Sequence, residues 1–303
     1  MSKKILIVGG TGFLGYHFAK LCLKKKYKVF SVSRNKPNKL RKLKKVNYVF
    51  FDISKKNYSK KLNFLRKVNY VLNFGGEVDH KNINKVYKSH YLGVKNIVNF
   101  YLNSDIEKFI QIGSSMEYGI CRSPNSENTL CNPISNYGCM KLKATDFLIK
   151  MNSKKKFPSI ILRPYQVYGP YQDSNRLIPF VIKNCLKGKT FPTSKGNQKR
   201  DFMYVQDFVS AVFKIMKKKK LEGNIFNIGY GKPIAVKKII QHIKFLIGAG
   251  EPKFGEISLR KEEKLVTYPN ISKIKKNINW YPKITIKKGL RKTINYYKKA
   301  VEI

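Results

Sequence analysis

The segment Ile5-Leu6-Ile7-Val8-Gly9-Gly10-Thr11-Gly12-Phe13-Leu14-Gly15 lies near the start of a chain of 303 residues. Its first four residues are apolar and mostly β-branched, which predicts a short strand buried on both faces of a parallel sheet. The glycines permit a tight turn, a close approach of the backbone to a pyrophosphate, and close packing of helix on strand. Free N–H groups at the start of the next helix favour the same anion. The segment therefore predicts a dinucleotide site made by Gly9, Thr11, Gly12, Phe13, Leu14 and Gly15.

Strand-like and helix-like patterns alternate over the first part of the sequence. Further apolar runs typical of buried strands lie at residues 27–32, 47–51, 70–74, 109–112 and 159–162. Helical spacing is clearest at residues 13–24, 94–102 and 136–151. This order predicts an α/β fold with a doubly wound parallel sheet of the Rossmann type, which binds ligands at the carboxyl ends of its strands.

The pattern loosens beyond about residue 165, and two further helices are predicted at residues 207–217 and 236–247. A chain of this length favours a main domain and a smaller lobe. We expect a dinucleotide-binding domain at residues 1–165 and, at residues 166–303, a smaller C-terminal lobe that binds the substrate. Some segments of this lobe are expected to return to the main sheet.

The chain carries 63 Lys and Arg against 17 Asp and Glu, a formal charge of +46. Such a charge attracts polyanions, so nucleic acid is one class of partner to consider. The lysines, however, form short runs throughout the sequence, without a basic tail, a zinc-knuckle spacing or an aromatic RNA-binding signature. We therefore expect a solvated basic surface and no nucleic-acid partner.

The cysteines and the apolar runs indicate the compartment. The five cysteines form no C-x-x-C pair and are odd in number, which argues against a metal site and against a complete disulfide framework. The first apolar run is too short for a signal peptide, and no run is long enough to span a bilayer. We expect free thiols, no membrane contact and a cytoplasmic location.

An acidic residue normally follows the second strand of an NAD site, where it bonds the ribose 2′-hydroxyl. Here the sequence has Ser33 and Arg34. Because arginine attracts a 2′-phosphate, this position favours NADP and leaves NAD as the alternative; a plain surface cation is the other interpretation. Asp52 and Ile53 close the third predicted strand, where they contact the adenine edge or form an ordinary turn.

Tyr137 and Lys141 lie four residues apart in a predicted helix and therefore share one face. An ammonium beside a phenol favours the phenolate, so the tyrosine can exchange a proton with a hydroxyl or carbonyl while hydride moves to or from a nicotinamide. Ser114 follows a predicted strand, where its hydroxyl bonds the reacting oxygen or forms a turn. In this order, after a dinucleotide motif, the three residues predict an oxidoreductase site.

These motifs resemble the extended short-chain dehydrogenase/reductase family of nucleotide-sugar epimerases, dehydratases and 4-ketoreductases, almost from end to end. The resemblance implies a nucleotide-sugar substrate, a nicotinamide dinucleotide bound at the glycines, and a homodimer. It also implies that Ser114, Tyr137 and Lys141 are the catalytic residues. His90 stands where Asn is usual, and we interpret both it and His80 as structural.

Two later segments of the sequence are similar to the family's substrate side. Residues 162–170 resemble the segment that leads from the nicotinamide to the sugar, which implies a cofactor contact by Pro164 and a substrate contact by Gln166, where Asn is common. Residues 197–207 are similar to the signature Q-x-R-D-x-x-Y-V-x-D, whose arginine often meets the nucleotide diphosphate. Arginine offers a planar fork for phosphate oxygens, so the expected diphosphate ligands are Arg200 and, as a second candidate, Arg260.

The residues after Ser114 narrow the expected reaction. The family's 4,6-dehydratases carry Asp-Glu there, whereas this sequence has Ser115 and Met116, which argues against dehydration and leaves Ser115 as a substrate contact. Together with Arg34, the sequence resembles NADPH-using 4-ketoreductases such as CDP-abequose and CDP-paratose synthases. We therefore expect NADPH to reduce the C4 carbonyl of an NDP-4-keto-6-deoxyhexose.

Two alternatives stay open at this point. An NDP-hexose 4-epimerase needs the same Ser, Tyr and Lys and would hold NAD tightly. A non-catalytic dinucleotide sensor or nucleic-acid-binding regulator is the alternative of another class, and the intact set of Ser114, Tyr137 and Lys141 argues against it.

Overall fold

A computed structural model describes residues 2–55, 62–77, 81–259 and 263–301. Its strands are β1 (Lys4–Val8), β2 (Lys28–Ser33), β3 (Val46–Phe50), β4 (Tyr70–Asn73), β5 (Lys108–Ile112), β6 (Ser159–Pro164), β7 (Gln166–Tyr168), β8 (Thr190–Thr193), β9 (Lys199–Tyr204), β10 (Ile225–Ile228), β11 (Pro233–Ala235), β12 (Glu251–Phe254) and β13 (Val266–Thr267). Its α-helices are α1 (Phe13–Lys24), α2 (Ile83–Tyr87), α3 (Gly93–Tyr101), α4 (Asn136–Lys155), α5 (Leu177–Leu186), α6 (Val205–Lys217), α7 (Val236–Ile247), α8 (Ser272–Ile278) and α9 (Ile286–Val301).

Seven strands form the main sheet, in the order β10-β6-β5-β4-β1-β2-β3. Six neighbouring strands pair in parallel, in the spatial order β6, β5, β4, β1, β2 and β3. The chain runs outward from β1 to β3 on one side and from β4 to β6 on the other, so the strand order reverses between β1 and β4. In open sheets of this kind, the carboxyl ends of the strands at such a reversal form the ligand site.

β1 lies in the interior of the main sheet, between β4 and β2, and its side chains are apolar on both faces. Residues 5–8 are all buried, as expected for a parallel strand that is covered on both sides. Leu6 and Val8 join a hydrophobic cluster with Val94 of α3 and Leu148 of α4. The buried strand β1 therefore holds the first residue of the glycine motif in place.

The remaining strands form two smaller sheets. β9 pairs with β7, β11 and β13, while β8 pairs with β12. A second hydrophobic cluster includes Ile182 of α5, Ile239 of α7 and Leu290 of α9. The chain divides into two compact units, of which the first holds residues 1–121, 127–164 and 209–227, and the second holds residues 122–126, 165–208 and 228–303.

The predicted α/β fold with a doubly wound parallel sheet is confirmed. The bounds of α1 and α7 are those predicted from helical spacing, and the first six predicted strands lie within two residues of β1 to β6. β10 is not among the predicted strands; its sequence, Ile-Phe-Asn-Ile, is interrupted by a polar Asn227 that the fold buries. The assignment of the substrate to residues 166–303 stays a prediction.

Three further observations concern the cysteines, membrane-spanning helices and metal sites. The five cysteines are all free thiols. Among the residues that the structure describes, none of the helices is both long and apolar enough to cross a membrane. In the same residues, no group of three or more His, Cys, Asp or Glu side chains is arranged to hold a metal ion.

Candidate active site

The glycine turn after β1 leaves open space at the start of α1. Gly9 has φ +77°, and a Cβ on Gly15 would lie 2.3 Å from the Gly9 oxygen, so both positions require glycine. A Cβ on Gly12, in contrast, would meet only the Gly9 oxygen, at 3.3 Å. Gly12 caps α1 without a side-chain hydrogen bond, and the first turn of this helix has no acidic residue. These features fit a pyrophosphate on the free N–H groups of α1. The other predicted contacts here, Thr11, Phe13 and Leu14, are half-buried.

The ends of β2 and β3 lie beside this turn. Ser33 is buried, and its Oγ has no hydrogen-bond partner among the described residues, which fits a ligand that supplies one. Arg34 forms an ion pair with Glu77, with 3.1 Å between Nη2 and Oε2. Asp52 accepts hydrogen bonds from the N–H and Oγ of Ser54 and so holds a turn.

Ile53 turns its side chain into the core rather than toward the sheet edge. It is buried in the cluster that includes Val94, and a Cβ on Gly93 would lie 2.7 Å from its Cγ1. Its carbonyl oxygen accepts a hydrogen bond from Asn96. Contact of Asp52 and Ile53 with an adenine stays a prediction.

Ser114, Tyr137 and Lys141 all lie in the first unit, at the end of β5 and in the first turns of α4. Ser114 is buried and caps the 3₁₀ turn of residues 115–118, since its Oγ accepts a hydrogen bond from the N–H of Met116. Lys141 is buried, and its Nζ lies 5.8 Å from the centre of the Tyr137 ring. The same Nζ donates a hydrogen bond of 2.6 Å to the Ile112 oxygen. The lysine therefore links α4 to the end of β5 beside the phenol.

The environment of Lys141 disfavours its charged form. Burial lowers the pKa of Lys141 from its ordinary value of 10.5 to about 8, and the negative charge of Glu117 opposes this shift. A lysine with such a pKa is still mostly protonated at pH 7, but it loses its proton far more easily than an exposed lysine. Its charge is thus sensitive to any negative group that binds beside it.

Glu117 is a buried carboxylate that joins the three elements around this site. It accepts hydrogen bonds of 2.8 Å from the Ser114 N–H, from Thr145 Oγ1 of α4 and from Arg163 Nε of β6. Sequence reasoning missed it. The signal was present, because Ser114 and Glu117 have the S-x-x-E spacing of a capping box. Glu117 therefore connects the backbone at Ser114 to α4, the helix that carries Lys141.

His90 packs against the Tyr137 ring. The two rings are perpendicular, with their centres 4.9 Å apart, and His90 is buried. A Cβ on Gly76 would lie 2.2 Å from His90 Cε1, so the glycine lets the imidazole reach this position. His90, which we interpreted as structural, is thus also in direct contact with the Tyr137 ring. His80 lies outside the described residues.

The predicted substrate contacts are spread over both units. In the first unit, Ser115 is half-buried beside Ser114. Pro164, which is instead the predicted cofactor contact, is half-buried at the end of β6. In the second unit, Gln166 is exposed at the start of β7, and Arg200 forms a 2.6 Å ion pair with Glu263. Arg260 lies outside the described residues.

The segment that holds Arg200 also has a structural acid. Asp201 is fully buried and accepts hydrogen bonds from the N–H groups of Tyr230, Gly231 and Lys232. Burial raises the pKa of Asp201 to about 6, against these hydrogen bonds. The R-D pair of the signature therefore combines a candidate phosphate ligand with a residue that holds a loop.

Residues 5–229 match the family described as the NAD dependent epimerase/dehydratase family. The chain belongs to this family. A putative UDP-glucose 4-epimerase of Methanocaldococcus jannaschii is 31% identical over 97% of this chain and 98% of its own length. The dTDP-D-glucose 4,6-dehydratase of Homo sapiens is 27% identical over 98% of this chain and 90% of its own length.

A solved structure agrees with these sequence relatives. The UDP-glucuronic acid 4-epimerase of Bacillus cereus, in complex with UDP-glucuronic acid and NAD, is 25% identical with a TM-score of 0.88. The alignment covers 98% of this chain and 99% of that one. The resemblance to the family of nucleotide-sugar epimerases and dehydratases is confirmed, and the chain is an NAD-dependent enzyme of this type.

Proposed function

We propose that this enzyme is a nucleotide-sugar 4-epimerase that retains NAD. The observation that carries the proposal is that the buried Ser114 and Lys141 and the half-buried Tyr137 lie in the unit that also holds the glycine turn. Among the relatives, the 31% identical protein is named as a putative UDP-glucose 4-epimerase, and the Bacillus cereus 4-epimerase was solved with NAD. These names support epimerisation over the reduction expected from the sequence, and NAD over NADP.

The side chains present are those that oxidation at C4 requires. Tyr137 accepts the proton of the C4 hydroxyl as a phenolate, a form that the nearby Lys141 ammonium stabilises before the transfer. Ser114 donates a hydrogen bond to the C4 oxygen as it becomes a carbonyl. A nicotinamide dinucleotide held at the glycine turn would supply the hydride chemistry at C4, as acceptor and then as donor. Tyr137 then returns its proton to the C4 oxygen, after the other face of the sugar has been presented.

Dehydration fits the site less well, although dehydratases are among the relatives. Elimination of water at C5 and C6 needs an acid and a base beyond the tyrosine. The two residues after Ser114 are a half-buried serine and an exposed methionine, Ser115 and Met116, neither of which exchanges protons near neutral pH. We therefore keep dehydration outside the proposal.

Reduction of a 4-keto sugar is the second candidate function, and Arg34 favours it. An arginine after β2 is typical of sites that accept the 2′-phosphate of NADP. A reductase needs fresh NADPH in every turnover, whereas an epimerase regenerates its cofactor within each turnover. The two functions therefore differ in whether cofactor is consumed.

The nucleotide released from the purified protein tests the proposal. We expect denatured protein to release NAD, and intact protein to convert UDP-glucose or UDP-glucuronic acid to the C4 epimer without added cofactor. NADPH oxidation that depends on an NDP-4-keto-6-deoxyhexose, with no epimer formed, would instead establish the reductase.

A pair of tyrosine variants tests the catalytic assignment. Tyr137→Phe is expected to lower turnover by about 10²- to 10⁴-fold, because general acid–base catalysis contributes this much. Tyr87→Phe, an exposed tyrosine of α2, is the matched control and should keep full activity. Unchanged activity in Tyr137→Phe would favour the non-catalytic alternative.

The homodimer, the cytoplasmic location and the lack of a nucleic-acid partner stay predictions.

A further inference from the structure

The ion pair of Arg34 and Glu77 lies at the carboxyl edge of the main sheet. Arg34 follows β2 and Glu77 follows β4, which are the two neighbours of β1. Adjacent strands are spaced about 4.8 Å apart, so the strands that carry the pair are roughly 10 Å apart, with β1 between them. The pair thus joins the two sides of the strand that leads into the glycine turn.

Glu77 is held more firmly than an ordinary surface carboxylate. Its side chain is 11% exposed, against 47% for Arg34 and 55% for Glu251 in another ion pair of the protein. The backbone N–H of Glu77 lies 3.1 Å from both Ser89 Oγ and His90 Nε2. A carboxylate that is partly withdrawn from water is less screened, so its charge acts more strongly on its neighbours.

The pair changes what Arg34 can recognise. A phosphate monoester carries about −1.5 to −2 charge near pH 7 and needs a cation with net charge to offset its desolvation. Glu77 neutralises the guanidinium of Arg34, and its own charge repels a phosphate. A ribose 2′-hydroxyl is neutral and meets no such repulsion. The chain also has no acid directly after β2, where NAD sites normally carry one.

We propose that Glu77 determines cofactor selectivity: by neutralising Arg34, it makes the site prefer NAD to NADP. This inference rests on the proposed function, because it requires a nicotinamide dinucleotide at the glycine turn. It explains how a chain with arginine after β2 belongs to an NAD-dependent family. The selectivity then depends on a residue 43 positions beyond Arg34, not on the strand end alone.

Competitive binding measures this selectivity without any turnover. The full-length protein is dialysed against equimolar labelled NAD and NADP until the bound ratio is constant, and the bound nucleotides are then released and quantified. Wild-type protein is expected to hold mostly NAD. Glu77→Gln, which keeps the shape but removes the charge, should raise the bound NADP-to-NAD ratio about tenfold.

Further variants separate the ion pair from a general effect of charge. Arg34→Gln should lower the NADP-to-NAD ratio below that of the wild type, since it removes the positive charge and keeps the negative charge of Glu77. Glu251→Gln, which breaks an exposed pair with Lys244 in the second unit, is the matched control and should leave the ratio unchanged. Melting temperatures of all three variants show whether each one folds.

Two results would overturn the inference. One is a wild-type protein that holds mostly NADP, and the other is an unchanged ratio in a folded Glu77→Gln variant. Failure of the proposed function is measured separately, as wild-type protein that binds NAD but forms no C4 epimer from UDP-glucose or UDP-glucuronic acid.

Discussion

The Glu117 carboxylate and the Arg163 guanidinium form an ion pair in which neither side chain reaches solvent, with 2.8 Å between Oε2 and Nε. Arg163 also lies over the Tyr118 ring, 4.6 Å from its centre. A buried pair of this kind costs desolvation, which is offset when further hydrogen bonds satisfy the charges. Here Ser114 and Thr145 supply those bonds to Glu117, so one carboxylate holds together the backbone of the candidate active site.

Removal of the Glu117 charge is expected to destabilise the fold. Glu117→Ala leaves Arg163 buried without a carboxylate, which should lower the free energy of unfolding by about 3–5 kcal/mol in urea titrations. Glu251→Ala removes the carboxylate of an exposed pair and serves as the control, with no shift of its urea midpoint expected. Equal midpoints for Glu117→Ala and the wild type would show that the pair has no structural role.

Lys141 should make the stability of the protein depend on pH. Its folded pKa is about 8 and its ordinary value is 10.5, so the fold must keep a buried ammonium below about pH 8. Between these two values the unfolded chain binds more protons than the folded one, and stability from this group rises with pH.

Comparison with Lys141→Met isolates this effect. The variant lacks the buried charge. Its free energy of unfolding minus that of the wild type should therefore include a pH-dependent part of about 3 kcal/mol near pH 7, and this part should disappear toward pH 10.5. Lys143→Met removes an exposed lysine of the same helix and should show no such trend. A difference that stays constant over this range would contradict the lowered pKa.

Two alanine substitutions in the glycine turn should have different effects. Gly12→Ala places its Cβ 3.3 Å from the Gly9 oxygen, a much milder contact than at Gly15, so we expect a small loss of stability and a loss of bound dinucleotide of about tenfold or more. Gly15→Ala places its Cβ against the Gly9 oxygen and should lower the free energy of unfolding by about 1–3 kcal/mol. Unchanged dinucleotide content in Gly12→Ala would place the phosphate elsewhere.

Gly76 and His90 should be energetically coupled. Gly76→Ala brings a methyl group to 2.2 Å from the imidazole carbon Cε1, which predicts a cost of about 1–3 kcal/mol in the free energy of unfolding. In a His90→Ala background the same substitution should cost clearly less, because the ring is gone. Additive effects in this double-mutant cycle would argue against the contact.

The sequence was sufficient for the central features of the fold. The apolar run at β1 and the glycines after it fix the first strand, the turn and the start of α1, since these depend on neighbours in sequence. The spacing of Tyr137 and Lys141 likewise requires only a helix. Local patterns of this kind can be recognised in a single amino-acid sequence.

Long-range charge pairs were not predictable from the sequence. Glu117 and Arg163 are 46 residues apart, and Arg34 and Glu77 are 43 apart, so only the folded sheet brings each pair together. With 63 basic residues in the chain, no pattern marks which cation an acid will meet. The preference for NADP inferred from Arg34 depended on treating that arginine as unpaired.

The fate of the hydrogen on C4 tests the proposed epimerisation most directly. A nucleotide hexose deuterated at C4 is incubated with the enzyme as purified, without added cofactor, and the product is analysed by NMR. We predict inverted configuration at C4 with the deuterium retained, because Tyr137 exchanges only the hydroxyl proton while the C4 hydrogen leaves and returns as hydride. Substrate recovered unchanged, or an epimer that has lost its deuterium to water, would contradict the proposed chemistry.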